Sequence, residues 1–193
     1  MRMLLAVVVG YLLGSLPSAD LVAARRGKNI RHLGSGNPGA ANVMRELGRR
    51  AGLAVMGLDL GKGWVAAGLG ETIGDQALAG YWGGAAAVVG HCFPAWSRFK
   101  GGKGVATTVG MLAWVLPWVA LVTALVWIAL TKLSGISSVG SVVAIAVAVP
   151  LGWWQEVRGW AFGIVIGVAA LVLLKHRANL AALRAGRERR LDR

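Results

Sequence analysis

Residues 104–131 read GVATTVGMLAWVLPWVALVTALVWIALT, and the fold turns on whether this stretch is one long helix or two short ones turning near Pro117. A membrane span needs roughly 20 apolar residues, with shorter or tilted ones tolerated. The other apolar runs lie at 3–24, 51–70, 79–97, 139–152 and 159–175. Charge between the runs decides the case. Lys and Arg concentrate in 25–50, in 98–103 and in the tail 175–193, whereas the gap 71–78 carries Glu71 and Asp75 and the gap 152–158 carries Glu156 and Arg158. Cytoplasmic loops collect positive charge. Two helices within 104–131 put every basic segment on one side; one helix strands the basic tail outside. The expectation is therefore an all-α integral membrane protein with seven transmembrane helices, N-terminus out and C-terminus cytoplasmic. Trp114, Trp118, Trp153, Trp154 and Trp160 then cluster near outer ends, as an aromatic belt does, and Lys132 marks an inner end. Several runs are short, so some helices are expected to be broken or partly interfacial.

Composition agrees. The chain is 56% hydrophobic with mean hydropathy +0.61, far above an ordinary soluble domain. No polar linker divides it, so residues 1–193 read as a single transmembrane domain. The formal charge of +13 invites a nucleic-acid reading. The basic residues sit in the gaps between apolar runs, however, so membrane topology accounts for them and no nucleic acid is expected. A single cysteine, Cys92, excludes an internal disulfide framework and a multi-Cys metal site. The apolar N-terminus lacks a clear small-residue cleavage site and reads as a retained first span.

Three polar segments on the basic side carry groups that suit an anion. The first is HLGSGNPGAANVMR, residues 32–45. Ser35, Asn37 and Asn42 offer side-chain donors, Gly34, Gly36 and Gly39 allow sharp turns, and Arg45 can grip phosphate bidentately. The plain alternative is a solvated interhelical loop whose Gly, Asn and Pro only make turns. The second is GHCFPAWSRFKGGKGVATT, residues 90–108. Gly101, Gly102 and Gly104 around Lys103 read as a loop whose N–H groups fold around oxyanions, with the helix start near Val105 adding its positive dipole end. His91 serves either this site or the structure alone. The spacing is not that of a nucleotide-binding P-loop, since Ser97 and Gly104 stand where Gly and Ser or Thr are needed. The third is KHRANLAALRAGRER, residues 175–189, where His176 and Asn179 share a helix face. A basic juxtamembrane helix binding anionic lipid explains its arginines but not Asn179 or Glu188. Within the second apolar run Asp59 and Lys62, three apart, read as a pair that is either structural or part of the site. No GxSxG elbow and no metal-ligand spacing occur.

Together the three segments resemble the bacterial acyl-phosphate:glycerol-3-phosphate acyltransferase family. The resemblance rests on GSGNPGAANVMR at 34–45, GHCFPAWSRFKGGKGVAT at 90–107, and His176, Asn179, Arg184, Gly186 and Glu188 in the tail; YLLGSLPSADLVA and DLGKG at 59–63 are also similar. It runs in order over nearly the whole chain. Ala41 stands where the family usually has Thr, and Lys100 where Arg is common. The other acyltransferase pattern, His-x4-Asp, is missing; Asn37 lies five residues on from His32.

The resemblance implies a multi-pass enzyme of the bacterial plasma (inner) membrane whose active site faces the cytoplasm. It implies transfer of a fatty acyl group from acyl phosphate to the 1-hydroxyl of sn-glycerol 3-phosphate. The products would be lysophosphatidic acid and inorganic phosphate, the first step of phospholipid synthesis. No cofactor and no metal are expected, and a soluble partner enzyme would make the acyl phosphate. The catalytic candidates are Ser35, Lys103, His176 and Asn179. Gly36, Asn37, Arg45, Gly101, Gly102, Gly104 and Glu188 are candidates for holding substrate phosphate, with Asp59, Lys62 and His91 in support. Lys103 and its glycines would hold one phosphate and offset the developing oxyanion, Arg45 and Ser35 would hold the other phosphate or align the hydroxyl, and Asn179 with His176 would orient the acceptor. His176 or the leaving phosphate would take the proton, and an acyl-serine on Ser35 is a further route, though no adjacent base is evident. Two rival classes are an organic-phosphate transporter, which usually holds its site near the midplane, and a scaffold whose basic loops bind anionic lipid.

Overall fold

The computed structural model describes residues 1–191; Asp192 and Arg193, the end of the basic tail, lie outside the described residues. The described residues form helices and loops without strands. The helices are α1 (Arg2–Gly14), α2 (Ser18–Ala24), α3 (Ala40–Leu47), α4 (Arg49–Gly74), α5 (Ala77–Cys92), α6 (Val105–Val115), α7 (Pro117–Ser134), α8 (Ser137–Trp154), α9 (Gly159–Lys175) and α10 (Arg177–Arg184). Short 3-10 turns occupy Ile30–His32 and Ala95–Ser97.

The stretch 104–131 is two helices, divided at Leu116. Pro117 opens α7, where its missing N–H has no intrahelical partner to lose and its fixed φ suits the first turn. Gly135 closes α7 at φ 70°, a left-handed cap that glycine adopts without strain. Two expected runs are interrupted. The run 3–24 is α1 and α2, broken at Pro17, and the run 79–97 stops being helical at Cys92 ahead of Pro94. By length and composition three segments qualify as spans: Arg2–Ala24, Pro117–Ser134 and Ser137–Trp154. Gly159–Lys175 with Arg177–Arg184, bent by 50° between them, makes a fourth. The remaining expected spans fall short on identifiable grounds. Helix α4 carries Asp59, Lys62 and Glu71, and α5 and α6 are only 16 and 11 residues long.

The packing is that of a protein dissolved in lipid. Large apolar side chains such as Leu4, Leu5, Trp118, Leu125, Trp154 and Leu174 point outward, while the contact between helices is rich in Gly and Ala. With no water to expel between lipid-facing helices, close backbone approach supplies the association energy, and only small residues permit it. Helix α4 packs on α1, α5 and α6, and α1 packs on α5. A Cβ at Gly14 would fall 2.0 Å from the Ala87 carbonyl oxygen, and one at Gly110 would fall 2.0 Å from that of Leu60. Helices α7, α8 and α9 pack in sequence and join the first group through α6 and α5. Val88, Met111, Leu112, Ile145 and Val172 fill the seam. A second cluster, with Ile30, Val43 and Val55 at its centre, pins the loop from α2 to α3 onto α4. The tail returns to the bundle, where the Leu191 N–H donates to the Gly135 carbonyl over 2.8 Å. That return carries Leu191 to the turn between α7 and α8.

Candidate active site

The three polar segments, far apart in sequence, meet at one end of the bundle. Lys103, between α5 and α6, donates from Nζ to Asn179 Oδ1 at 2.5 Å. Asn179, in α10, donates from Nδ2 to Glu188 Oε1 at 2.6 Å. Ser138, in the first turn of α8, donates to that same Glu188 oxygen at 2.8 Å. The amide of Asn179 is thus fixed at both ends, with oxygen toward the ammonium and nitrogen toward the carboxylate. Arg45, from α3, closes the group: it lies near enough to Lys103 and Glu188 to act on their charge. Its Nε is buried without a protein hydrogen-bond partner. Arg45 and Glu188 also line an open cleft with Glu46, Arg189 and Arg190.

Burial shapes the charges. It pulls the Lys103 ammonium down to about 8, with Arg45 and Lys175 acting the same way and Glu188 opposing them. It pulls the Arg45 guanidinium below its usual value, and Arg189 adds to this. His176, 2% exposed, makes a hydrogen bond at the junction of α9 and α10. That bond joins Nδ1 to the Val172 carbonyl at 2.8 Å, so Nδ1 carries the proton and Nε2 is the free acceptor.

The first segment is held by its own asparagine. Asn42, 1% exposed, accepts the Ser35 N–H at Oδ1 (3.1 Å) and donates from Nδ2 to the Leu33 carbonyl (3.0 Å). Gly34 and Gly36, at φ 57° and 68°, flank Ser35 and let the loop turn over Asn42. Ser35 itself is exposed, and its Oγ lies 3.4 Å from the Asn37 N–H.

The glycines before Lys103 do something other than the expected cradle. The Gly101 N–H donates to the Cys92 carbonyl (3.2 Å) and the Gly102 N–H to that of His91 (3.0 Å). Both donors are committed to the open end of α5, so in this conformation neither faces an anion. Their lack of side chains serves close approach instead: a Cβ on Gly102 would fall 2.2 Å from His91 Nε2. Gly104 keeps a left-handed φ of 87° and starts α6. The supporting residues gather beneath this loop. Asp59 pairs with Lys62 at 2.8 Å and lies 3.4 Å from His91 Nδ1, and Lys62 also donates to the Leu16 carbonyl at 3.2 Å.

Sequence reading missed Ser138, Asp20 and Arg31. Ser138 carried one signal, a polar pair at the start of an otherwise apolar span at the basic end. Asp20 and Arg31 carried none beyond charge. Among the described residues no group of three or more His, Cys, Asp or Glu is gathered as a metal site would require.

A model of the family described as glycerol-3-phosphate acyltransferase matches residues 4–186. The chain belongs to the glycerol-3-phosphate acyltransferase family. Among curated members, the glycerol-3-phosphate acyltransferase of Rhizobium meliloti (strain 1021) is 39% identical over 97% of this chain and 92% of its own. That of Pseudomonas paraeruginosa (strain DSM 24068 / PA7) is 40% identical over 96% and 97%. The crystal structure of PlsY (YgiH), an integral membrane glycerol 3-phosphate acyltransferase, in its glycerol 3-phosphate form superposes with a TM-score of 0.93. It is 36% identical, covering 98% of this chain and 96% of that one. Its lysophosphatidic acid form gives a TM-score of 0.91 at 35% identity. This glycerol-3-phosphate acyltransferase is accordingly a membrane-bound enzyme of phospholipid synthesis.

Proposed function

We propose that this chain transfers a fatty acyl group from acyl phosphate to the 1-hydroxyl of sn-glycerol 3-phosphate, releasing lysophosphatidic acid and inorganic phosphate. The observation that carries the reading is the Lys103–Asn179–Glu188 chain of hydrogen bonds beside an Arg45 whose Nε has no protein partner. Acyl phosphate is a mixed anhydride, so both substrates bring a phosphate to one site and two cationic groups suit them. The 1-hydroxyl oxygen attacks the acyl carbonyl carbon. The tetrahedral oxyanion collapses, the carbon–oxygen bond to phosphate breaks, and phosphate leaves with the bonding pair. Lys103 offsets the charge on the carbonyl and leaving oxygens, Arg45 and Ser35 hold the phosphate of the acceptor, and Asn179 orients its hydroxyl. The proton passes to the departing phosphate, which leaves with the bonding pair and is the strongest base at the reacting centre. His176 then acts as a positioning group at the junction of α9 and α10. Gly36, Asn37 and Gly104 shape the loops around both phosphates, and no metal or cofactor enters any step.

Seven spans, with the N-terminus outside and the C-terminus, active site and all basic loops on the cytoplasmic side of the bacterial plasma membrane, fit the reading. The division of 104–131 at Leu116 and the clustering of Arg45, Lys103 and the basic tail beside the site support this reading. The acyl chain remains between helices in the bilayer, and a soluble enzyme supplies the acyl phosphate. Purified protein in lipid, given acyl phosphate and glycerol 3-phosphate, is expected to form lysophosphatidic acid and phosphate in equal amounts, and none with acyl-CoA as donor. Folded protein without turnover would overturn the reading and leave the loops as a binding site only.

A further inference from the structure

Arg31 lies outside the groups assigned above, yet its side chain ties the loop that carries Ser35 to the loop that carries Lys103. It sits in the 3-10 turn Ile30–His32, whose entry is capped by Asn29 accepting the Arg31 N–H at 3.0 Å. Its guanidinium is engaged on two sides at once. Nε and Nη2 donate to the two carboxylate oxygens of Asp20 at 2.9 and 2.8 Å, a bidentate fork. Nη1 donates to the Lys100 carbonyl at 2.6 Å. Lys100 opens the run Lys100–Gly101–Gly102–Lys103, so this bond fixes the backbone three residues before the Lys103 ammonium. The main chain of Arg31 meets the other loop. A Cβ on Gly36 would fall 3.0 Å from the Arg31 carbonyl oxygen, so the Ser35–Gly36 turn rests directly on it. Asp20 and Arg31 each keep little more than a quarter of their side-chain surface exposed.

We infer that Arg31 is a positioning residue, set by Asp20, which fixes the separation between the Ser35 loop and the Lys103 loop. The inference rests on the acyltransferase reading above. Only a planar fork with donors on separate edges can hold a carboxylate bidentately and a carbonyl together; a lysine ammonium cannot reproduce that geometry. The opposite side of the Lys103 loop is held independently, by the Gly102 N–H on the His91 carbonyl and the ring of His91 against Gly102. Loss of Arg31 therefore frees one side of the loop without unfolding it. Alignment errors near 1 Å cost about 100-fold in rate, and remote binding of each substrate is largely retained.

The test is Arg31→Ala, Arg31→Lys and Asp20→Asn in the full chain reconstituted in lipid, with wild type and Lys103→Ala alongside. Expected for Arg31→Ala is a kcat lowered by about 10- to 100-fold, with KM for each substrate within a fewfold of wild type. Arg31→Lys should do little better, and Asp20→Asn should fall between. A purely structural role would lower kcat in the same way by reducing the folded fraction, so two further readouts decide. Stoichiometry of glycerol 3-phosphate binding should stay that of wild type. Added guanidinium ion should restore part of the turnover of Arg31→Ala, while sodium at equal ionic strength should not, and Lys103→Ala should gain nothing. Wild-type turnover in Arg31→Ala, full rescue by lysine, or loss that tracks the binding-competent fraction would each overturn the inference. Inactive wild-type protein would instead overturn the acyltransferase reading on which it rests.

Discussion

The Asn179 amide has one orientation because Glu188 holds its nitrogen at 2.6 Å, and that leaves its oxygen to the Lys103 ammonium. A neutral residue thereby couples an anion to a cation without letting them neutralise each other directly. Lys103 keeps an ammonium that is buried enough to act strongly on a ligand and still short of its full ordinary basicity.

The pH profile follows from this coupling. In the proposed mechanism Lys103 must be protonated to offset negative charge, and burial holds its ammonium down at about 8. Activity is therefore expected to fall as pH rises through about 8. Glu188 pulls that value upward, so Glu188→Gln should move the alkaline limb of kcat/KM to lower pH. Lys103→Arg, always charged, should lose the limb altogether while working more slowly. A limb that stays in place in Lys103→Arg would assign it to another group.

Removing the ammonium should cost far more than shifting it. Lys103→Ala is expected to lose about 100- to 1,000-fold in kcat, as when an oxyanion-stabilising donor is deleted elsewhere. Single-turnover measurements on folded protein check this. Retention of most of the turnover would remove Lys103 from the chemistry.

Asn42 offers a test of the first loop. Both ends of its amide are engaged and its side chain is buried. Asn42→Ala should cost about 1–3 kcal/mol, because two backbone groups lose their partner. Thermal unfolding in a mild detergent reads this, and the KM for glycerol 3-phosphate should rise as the Ser35 loop loosens.

Helix packing predicts a contrast between glycines of the same type. Gly14→Ala forces a methyl into the Ala87 carbonyl and should destabilise by about 1–3 kcal/mol. Gly57→Ala, exposed on α4 with no atom within 4 Å of the new carbon, should be neutral or stabilising by about 0.5–1 kcal/mol. Equal effects at the two positions would contradict the packing described.

Much of this was readable from composition and order. Charge placement called for a break near Pro117, and the chain breaks there because proline suits a first turn and not a helix interior. Lys103 and Arg45 were singled out as phosphate-binding types, Asn179 and Glu188 as tail residues that lipid binding leaves unexplained, and folding brings the four to one end. Other relationships were invisible for physical reasons. Glycine next to lysine signals a backbone that can approach something closely, but not what it approaches; at Gly101 and Gly102 the neighbour is the end of α5 rather than a ligand. The partnership of Asp59 with His91, and of Arg31 with Asp20 and with the Lys100 carbonyl, depends on tertiary contacts that no local spacing encodes. Ser138 looked like an ordinary helix start and is instead the second anchor of Glu188.

The return of the tail to the turn between α7 and α8 has a bearing on biosynthesis. Glu188 and Asn179 follow every apolar run in the order of translation. The hydrogen-bond chain from Lys103 to Glu188 consequently closes only once the segment beyond α9 has been made.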